Sequence, residues 1–387
     1  MMFSANISRG AALVESERSG RVLHVLDHLS PASGVASVVM NCVTEIDQVR
    51  QDIAIYGQSD PDMEMVVKSC GGRVYRLPDV AKFFGGQFSK AFSQLLQSQP
   101  YTVVHGHLLN SAFIYLRNAK QLGVPNRIIH AHNPVSADVA VKRVRNNLLS
   151  LGICSWANNY IAVSEETSQS AFRRAHRKKL NVSVIRNGIK TDRFHYDADV
   201  RVQMRRKLDL REDTLCIGNV ARFVKQKNHD FLIDVFVQTR KKTDCVLALV
   251  GEGPLEAAIK EKVTRMGLLH DVRFLGLRSD VERLYQAFDV FLLPSLFEGF
   301  GLAAVEAQCA GLGCVVSKYV PQSVVCSEKI RFLPLENEKI WADIAVEMAN
   351  QCRSDGSVGV KAAKLNAESM RDDMLKIYQS MLGKGEL

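Results

Sequence analysis

Apolar and polar positions along the chain fall into two successive series. In the first half, short apolar runs stand at "RVLHVLDHL", "QDIAIYG", "RVYRLP", "YTVVHGH", "NRIIHAHN", "NYIAVS" and "VSVIRNG". Each has the length and composition of a buried strand. Longer stretches lie between them, such as "FSKAFSQLLQSQ" and "SAFIYLRNAKQLG", and suit helices. Buried strands separated by helix-length segments predict a parallel sheet covered on both faces. A polar, charge-rich stretch, "KTDRFHYDADVRVQMRRKLDLREDT", then interrupts the pattern. It restarts with "TLCIGNVAR", "CVLALVGEG", "VRFLG", "DVFLLPS", "GCVVS" and "IRFLPL". The fold class expected is therefore α/β, with two doubly wound domains in tandem. The boundaries expected are a flexible leader over 1–20, a first domain over 21–195, a second over 196–365 and a final helix over 366–387. That helix places Met370, Met374, Ile377, Tyr378 and Met381 near one side and can cross back to the first domain.

Composition narrows the class. The chain has 387 residues, enough for two or three domains. No apolar run reaches membrane-spanning length, because Pro294, Glu298 and Glu306 interrupt the longest candidate. The first twenty residues lack the apolar core of a signal peptide and read as a frayed leader. Nine cysteines without a C-x-x-C pair fit free thiols in a reducing cytosol better than disulfides or a zinc site. The net charge of +9 favours an anionic partner, whether nucleic acid, nucleotide or membrane surface, without choosing between them.

Ligands of doubly wound sheets bind beyond the carboxyl ends of the strands, so the residues there carry the candidate chemistry. "LFEGFGLAAVE" puts Glu298 and Glu306 eight positions apart. On one continuous helix they would not share a face. With Glu298 in a loop and a helix opening near Gly301, both acids could reach one elongated ligand. The backbone N–H groups of Gly299, Phe300, Gly301 and Leu302 would then face a phosphate or a sugar hydroxyl. Capping by Glu298 and a surface position for Glu306 is the plainer alternative, and a glycosidase acid pair is a third. Arg222 and Lys227 straddle a strand-to-helix turn in "NVARFVKQKNHD" and suit a diphosphate, or else form a solvated basic loop. Gly34 opens a helix after the first strand and could admit a phosphate or an acceptor. "VVHGH" and "IIHAHN" each end a strand with two histidines on one face, His105 with His107 and His130 with His132. Each is a core residue or a group at the cleft mouth; His132, last on its strand, is the strongest candidate for the latter. Cations and apolar residues mix over 141–156, and five cations follow within 172–180. Together they suit contact with anionic lipid, or else an ordinary solvated face. Aromatic residues are only 7% of the chain, too few for the interleaving expected of a nucleic-acid binder.

In order and spacing, "VIRNGI" with "DRF", "ARFVKQKN", "LVGEGPL", "RFLGLRSDV" and "DVFLLPSLFEGFG" resemble the retaining GT-B glycosyltransferases of family 4, the glycosyl transferases group 1. The first half and "RFLPL…WADIA" look most like the capsular or exopolysaccharide branch. The resemblance implies two Rossmann-like domains facing across a cleft, and a nucleotide-diphosphate sugar, by default a UDP-sugar, as co-substrate. It implies that Arg222 and Lys227 hold the donor diphosphate and that Glu298 contacts the donor sugar. Glu306 would take the ribose, and Gly251 and the 299–302 backbone would lie on the donor side. Gly34 would lie near the phosphates and His132 near the transferred sugar. No metal or other cofactor is implied. A glycan or lipid-linked acceptor, a cytoplasmic location and peripheral contact with the membrane are. The family's loop often carries paired glycines; this one has Gly34 alone. A sugar-nucleotide epimerase on the same fold and a non-catalytic sugar-nucleotide-binding scaffold are the competing readings.

Overall fold

A computed structural model of the chain describes residues 20–31, 33–80, 85–134 and 153–382. Every apolar run named above contains a strand. The first series forms β1 (Arg21–Leu26), β2 (Arg50–Ile55), β3 (Val74–Arg76), β4 (Val103–Gly106), β5 (Asn126–Ala131), β6 (Asn159–Ala162) and β7 (Val182–Val184). The second forms β8 (Leu215–Val220), β9 (Cys245–Val250), β10 (Val272–Phe274), β11 (Val290–Leu293), β12 (Gly313–Ser317) and β13 (Ile330–Leu333). Their spatial orders are β3-β2-β1-β4-β5-β6-β7 and β10-β9-β8-β11-β12-β13, and all pairings are parallel. The central strands are buried along most of their length because helices cover both faces. β9, "CVLALV", is buried at every position.

Each sheet reverses its winding once, between β1 and β4 in the first and between β8 and β11 in the second. Helices leave a doubly wound sheet on opposite faces at such a point, and a crevice opens between the loops. The loops after β1, β4, β8 and β11 are therefore the ones free to build a site.

The chain passes between lobes at two places that lie side by side. Ile189 N–H donates to Leu365 O (2.9 Å), and Ala367 N–H donates to Ile189 O (2.8 Å). Gly188 is needed here, since a Cβ would stand 2.2 Å from Asn366 O. The last helix, Ala367–Leu382, then lies on the first lobe. Met370, Met374, Tyr378 and Leu382 recur every four residues and make one buried stripe. They pack with Val38 and Cys42 of the helix Gly34–Glu45 and with Val22, Val103 and Ile128 of the sheet. The end of the chain thus completes the core of its beginning. The leader over 1–19 lies outside the described residues.

Met374 is fully buried in that stripe. Met374→Ala should destabilise the first lobe by about 2–4 kcal/mol, through lost transfer energy and the cavity left behind. Urea unfolding of the full-length protein checks it.

Candidate active site in the cleft between the lobes

A cleft of about 590 Å³ runs between the two sets of loops. On the second-lobe side it is lined by Arg222, Lys227, Gly251 and the segment Glu298–Ala303, with Glu306. On the first-lobe side stand Asp27, Gly34, His107, His132 and Asn187. Of the residues singled out from sequence, the structure brings Arg222, Lys227, Gly251, Glu298–Leu302, Glu306, Gly34, His107 and His132 to this cleft, whereas His105 and His130 do not line it.

The second-lobe wall is built by a short polar network. After β8 a 3-10 turn, Lys225–Lys227, leads into the helix His229–Arg240. Gln226 pins the loop after β11 to this turn. Its carbonyl accepts from Leu296 N–H (2.8 Å), and its amide donates to Phe297 O (3.0 Å). Glu298, only 6% exposed, is brought within 2.5 Å of the Lys227 ammonium. Ser295 Oγ donates to the same carboxylate oxygen (2.6 Å), and Ser317 Oγ holds the Ser295 carbonyl (2.5 Å). A buried carboxylate needs such partners, since desolvation alone would force it neutral. Arg222 is exposed and makes no side-chain hydrogen bond or ion pair among the described residues. Its guanidinium is free for an anionic ligand, whereas Lys227 would have to share itself between Glu298 and that ligand.

The helix expected near Gly301 spans Leu302–Cys309. Gly301 sits before it at φ 102°, a left-handed conformation that suits glycine, and no side chain caps the helix. Its first N–H groups open onto the cleft. Opposite, the helix Gly34–Glu45 begins at the same cleft, with Ser33 Oγ accepting from Ala36 N–H (3.2 Å). A Cβ on Gly34 would lie 3.7 Å from Leu302, so the two helix starts nearly meet. Two positive dipole ends converging with a free arginine are suited to an anion. Phe300 serves through its backbone only, because its side chain is buried in the second-lobe core.

Glu306 is partly buried rather than a surface group. Its Oε2 lies 2.8 Å from the Tyr285 hydroxyl, which also lies 3.2 Å from Ala303 O. Burial raises the Glu306 carboxyl above its usual range, and the Tyr285 bond works against that. Gly251 adopts φ 132°, and a Cβ there would meet Ala221 O at 2.2 Å. It is a close-approach glycine that lets the β8 and β9 loops pack together.

The first-lobe wall contributes His132, buried at the end of β5. Burial pulls its imidazole down to about 3, so it is neutral at physiological pH. Its carbonyl packs against Gly299 so closely that a Cβ there would stand 1.8 Å away. Thr167 Oγ1 donates to Gly299 O (3.1 Å) from the same side. Gly299 is therefore one point at which the lobes touch. Ser295, Gln226, Thr167 and Tyr285 were not picked out from sequence. Ser295 had one available signal, its place just beyond the carboxyl end of β11. Tyr285 lies 21 residues before Glu306 on a separate helix, and no local pattern links the two.

Of the basic stretch over 141–156, residues 141–152 lie outside the described residues. Trp156 is partly buried against the first-lobe core, so it is not a free apolar surface group. Arg173, Arg174, Arg177, Lys178 and Lys179 are exposed. Among the described residues, no helix is long and apolar enough to cross a membrane.

Fold and site together define a two-lobed α/β protein whose cleft, at paired switch points, is suited to an anionic ligand. Comparison with known proteins gives the family. Residues 32–193 match "Glycosyltransferase Family 4" and residues 200–342 match "Glycosyl transferases group 1". The Bacillus subtilis (strain 168) protein named glycosyltransferase EpsF is 30% identical over 338 residues, 85% of this chain and 88% of that one. An Escherichia coli UDP-Gal:alpha-D-GlcNAc-diphosphoundecaprenol alpha-1,3-galactosyltransferase is 27% identical over 58% of this chain and 59% of its own. The crystal structure of Anabaena Alr3699/HepE in complex with UDP and glucose superposes with a TM-score of 0.77 at 18% identity, covering 93% of this chain and 99% of that one, a likeness of fold. The chain belongs to the glycosyl transferases group 1, with the GT-B fold, and is a hexosyltransferase-type glycosyltransferase.

Gly299→Ala forces the His132 carbonyl and the β11 loop apart. Sugar-nucleotide turnover should fall about a hundredfold, the scale set by an ångström-level misplacement. The thermal unfolding midpoint should stay close to that of the parent chain, and the two measurements together check the contact.

Proposed function

We propose that the chain is a retaining glycosyltransferase that moves a sugar from a nucleotide-diphosphate sugar, by preference a UDP-sugar, to a glycan or lipid-linked acceptor in cell-surface polysaccharide assembly. The observation that carries this reading is the convergence of Arg222, Lys227 and two helix N-termini on one cleft, beside the buried carboxylate of Glu298. Departure of a nucleoside diphosphate builds negative charge on its phosphates and positive charge on the sugar. Arg222, Lys227 and the N–H groups ahead of Leu302 would take up the first. Glu298 would orient the sugar, and Glu306, held by Tyr285, would accept from the ribose hydroxyls. These fixed charges would fill the role a metal plays elsewhere, so the reaction is proposed to run without one. Glu298 is committed to Lys227 and Ser295, and Glu306 to Tyr285. That favours front-face displacement, with the departing phosphate helping to deprotonate the acceptor, over a carboxylate nucleophile. The uridine preference is supported by the UDP ligand of the Anabaena structure and by the UDP-Gal donor in the E. coli relative's name. The exposed cations at 173–179 support peripheral contact with an anionic bilayer on the cytoplasmic side.

Purified protein should slowly hydrolyse one donor from a panel of UDP-glucose, UDP-galactose, UDP-N-acetylglucosamine and GDP-mannose. Release of the nucleoside diphosphate should vanish in Arg222→Ala and Glu298→Ala. A chain that turns over none of these donors, and binds none by calorimetry, would leave the non-catalytic scaffold as the better account. Tyr285→Phe should weaken UDP binding about three- to tenfold, the worth of one hydrogen bond. It should have much less effect on 2′-deoxy-UDP if Glu306 serves the ribose diol.

A further inference from the structure

Five histidines lie stacked behind the first-lobe wall: His24 on β1, His105 and His107 at the end of β4, His130 and His132 at the end of β5. All are buried, and neighbouring ring centroids are 4.2–5.5 Å apart. Two groups of three bring nitrogens within 4.8 Å of one another. The rings lie stacked or tilted over one another rather than converging, and several of the nitrogens bond each other, which is not the disposition of an ion's ligands. What the cluster does form is a directed chain of hydrogen bonds. Gln51 Oε1 lies 2.9 Å from His24 Nε2, His24 Nδ1 lies 3.0 Å from His107 Nε2, and His107 Nδ1 lies 2.8 Å from His132 Nε2.

One end of this chain fixes its direction. The Gln51 amide nitrogen donates to Cys42 O (2.8 Å) and Ile46 O (3.0 Å). Carbonyls only accept, so the amide oxygen must be the atom facing His24. His24 therefore donates from Nε2. A neutral imidazole has one N–H and one lone pair. Burial keeps these rings neutral. It pulls His24 down to about 4 although Asp52 lies near, and holds His107 well below its ordinary value. His24 Nδ1 must then accept from His107 Nε2, and His107 Nδ1 must accept from His132 Nε2. The proton of His132 is committed inward. Its Nδ1 is left as a buried lone pair without a partner among the described residues. The neighbouring chain, Tyr378–His105–His130, has no acceptor-only end and fixes no tautomer.

We propose that Gln51, His24 and His107 are positioning residues that lock His132 in the Nε2–H tautomer, so that it meets the bound sugar only as a hydrogen-bond acceptor through Nδ1. This rests on the reading that places His132 beside the transferred sugar. His132 lines the cleft, and a sugar hydroxyl that reaches its buried lone pair would satisfy it, whereas an analogue without that hydroxyl would leave it unpaired.

The test is nitrogen-15 NMR of the full-length protein labelled at histidine, without donor, with the His132 ring assigned from a His132→Gln sample. The expected result at pH 7 is protonated Nε2 and unprotonated Nδ1. The opposite tautomer would overturn the relay. His24→Leu removes the acceptor of His107. It should shift His132 towards Nδ1–H and lower kcat for donor hydrolysis about five- to tenfold, with KM within about twofold. His24→Asn, whose amide oxygen can stand where Nδ1 stood, should keep the tautomer and most of kcat. If His24→Leu loses rate while the His132 tautomer is unchanged, the role is structural and the proposal fails. The NMR arm uses no donor, so a wrong tautomer sinks the relay even where transfer is demonstrated. A parent chain that turns over no donor sinks the reading of the cleft instead.

Discussion

A carboxylate taken out of water has to be paired, and Glu298 is held from several sides. Lys227, Ser295 and Gln226 all reach it, and they come from the loops after β8 and β11. Those strands are neighbours in the second sheet because the winding reverses there. The ion pair therefore ties the chemistry of the site to the topology of the fold. It also sets what a diphosphate must do on arrival. Arg222 is free to meet it at once, while Lys227 has to be shared with Glu298. Such a pair fastens the loops after β8 and β11 to each other and leaves a lysine that an anion could share.

The lobes meet through backbone as much as through side chains. Gly299 lies against the His132 carbonyl, Thr167 holds Gly299 O, and Leu302 packs into the core of the opposite lobe. The last helix adds a second tie, since its apolar stripe is buried in the first lobe. One consequence is geometric. The helix that starts at Gly34 and the helix that starts at Leu302 aim their positive ends at the same space. Neither alone would hold a doubly charged phosphate group in water; together with Arg222 they could enclose one.

Much of this was legible along the chain. Every strand lay within a short apolar run, and the central ones are buried along most of their length because both faces of each sheet are covered. Arg222, Lys227, Glu298 and Glu306 were legible because they follow strands whose ends had to be functional, and because their order resembled that of a known family. Less legible were the residues that hold them. Ser295 differs from many serines only by where β11 ends. Tyr285 reaches Glu306 from another helix. The histidines were visible as two alternating pairs, but His24 and Gln51 joined them only through sheet register, which sets His24 opposite His105.

The sequence by itself determined the thirteen strand runs, the division into two α/β series and the family. Period and strand-end position are properties of consecutive residues, so they survive in one dimension. Only the tertiary structure decided which of the charges were free and which were spoken for. Arg222 and Lys227 look alike in the chain, yet one is exposed and the other neutralises a buried acid. Likewise the tautomer of His132 depends on a glutamine 81 positions away. Hydrogen bonds and ion pairs are short-ranged, and what lies within 3 Å of a side chain is chosen by packing, not by spacing along the chain.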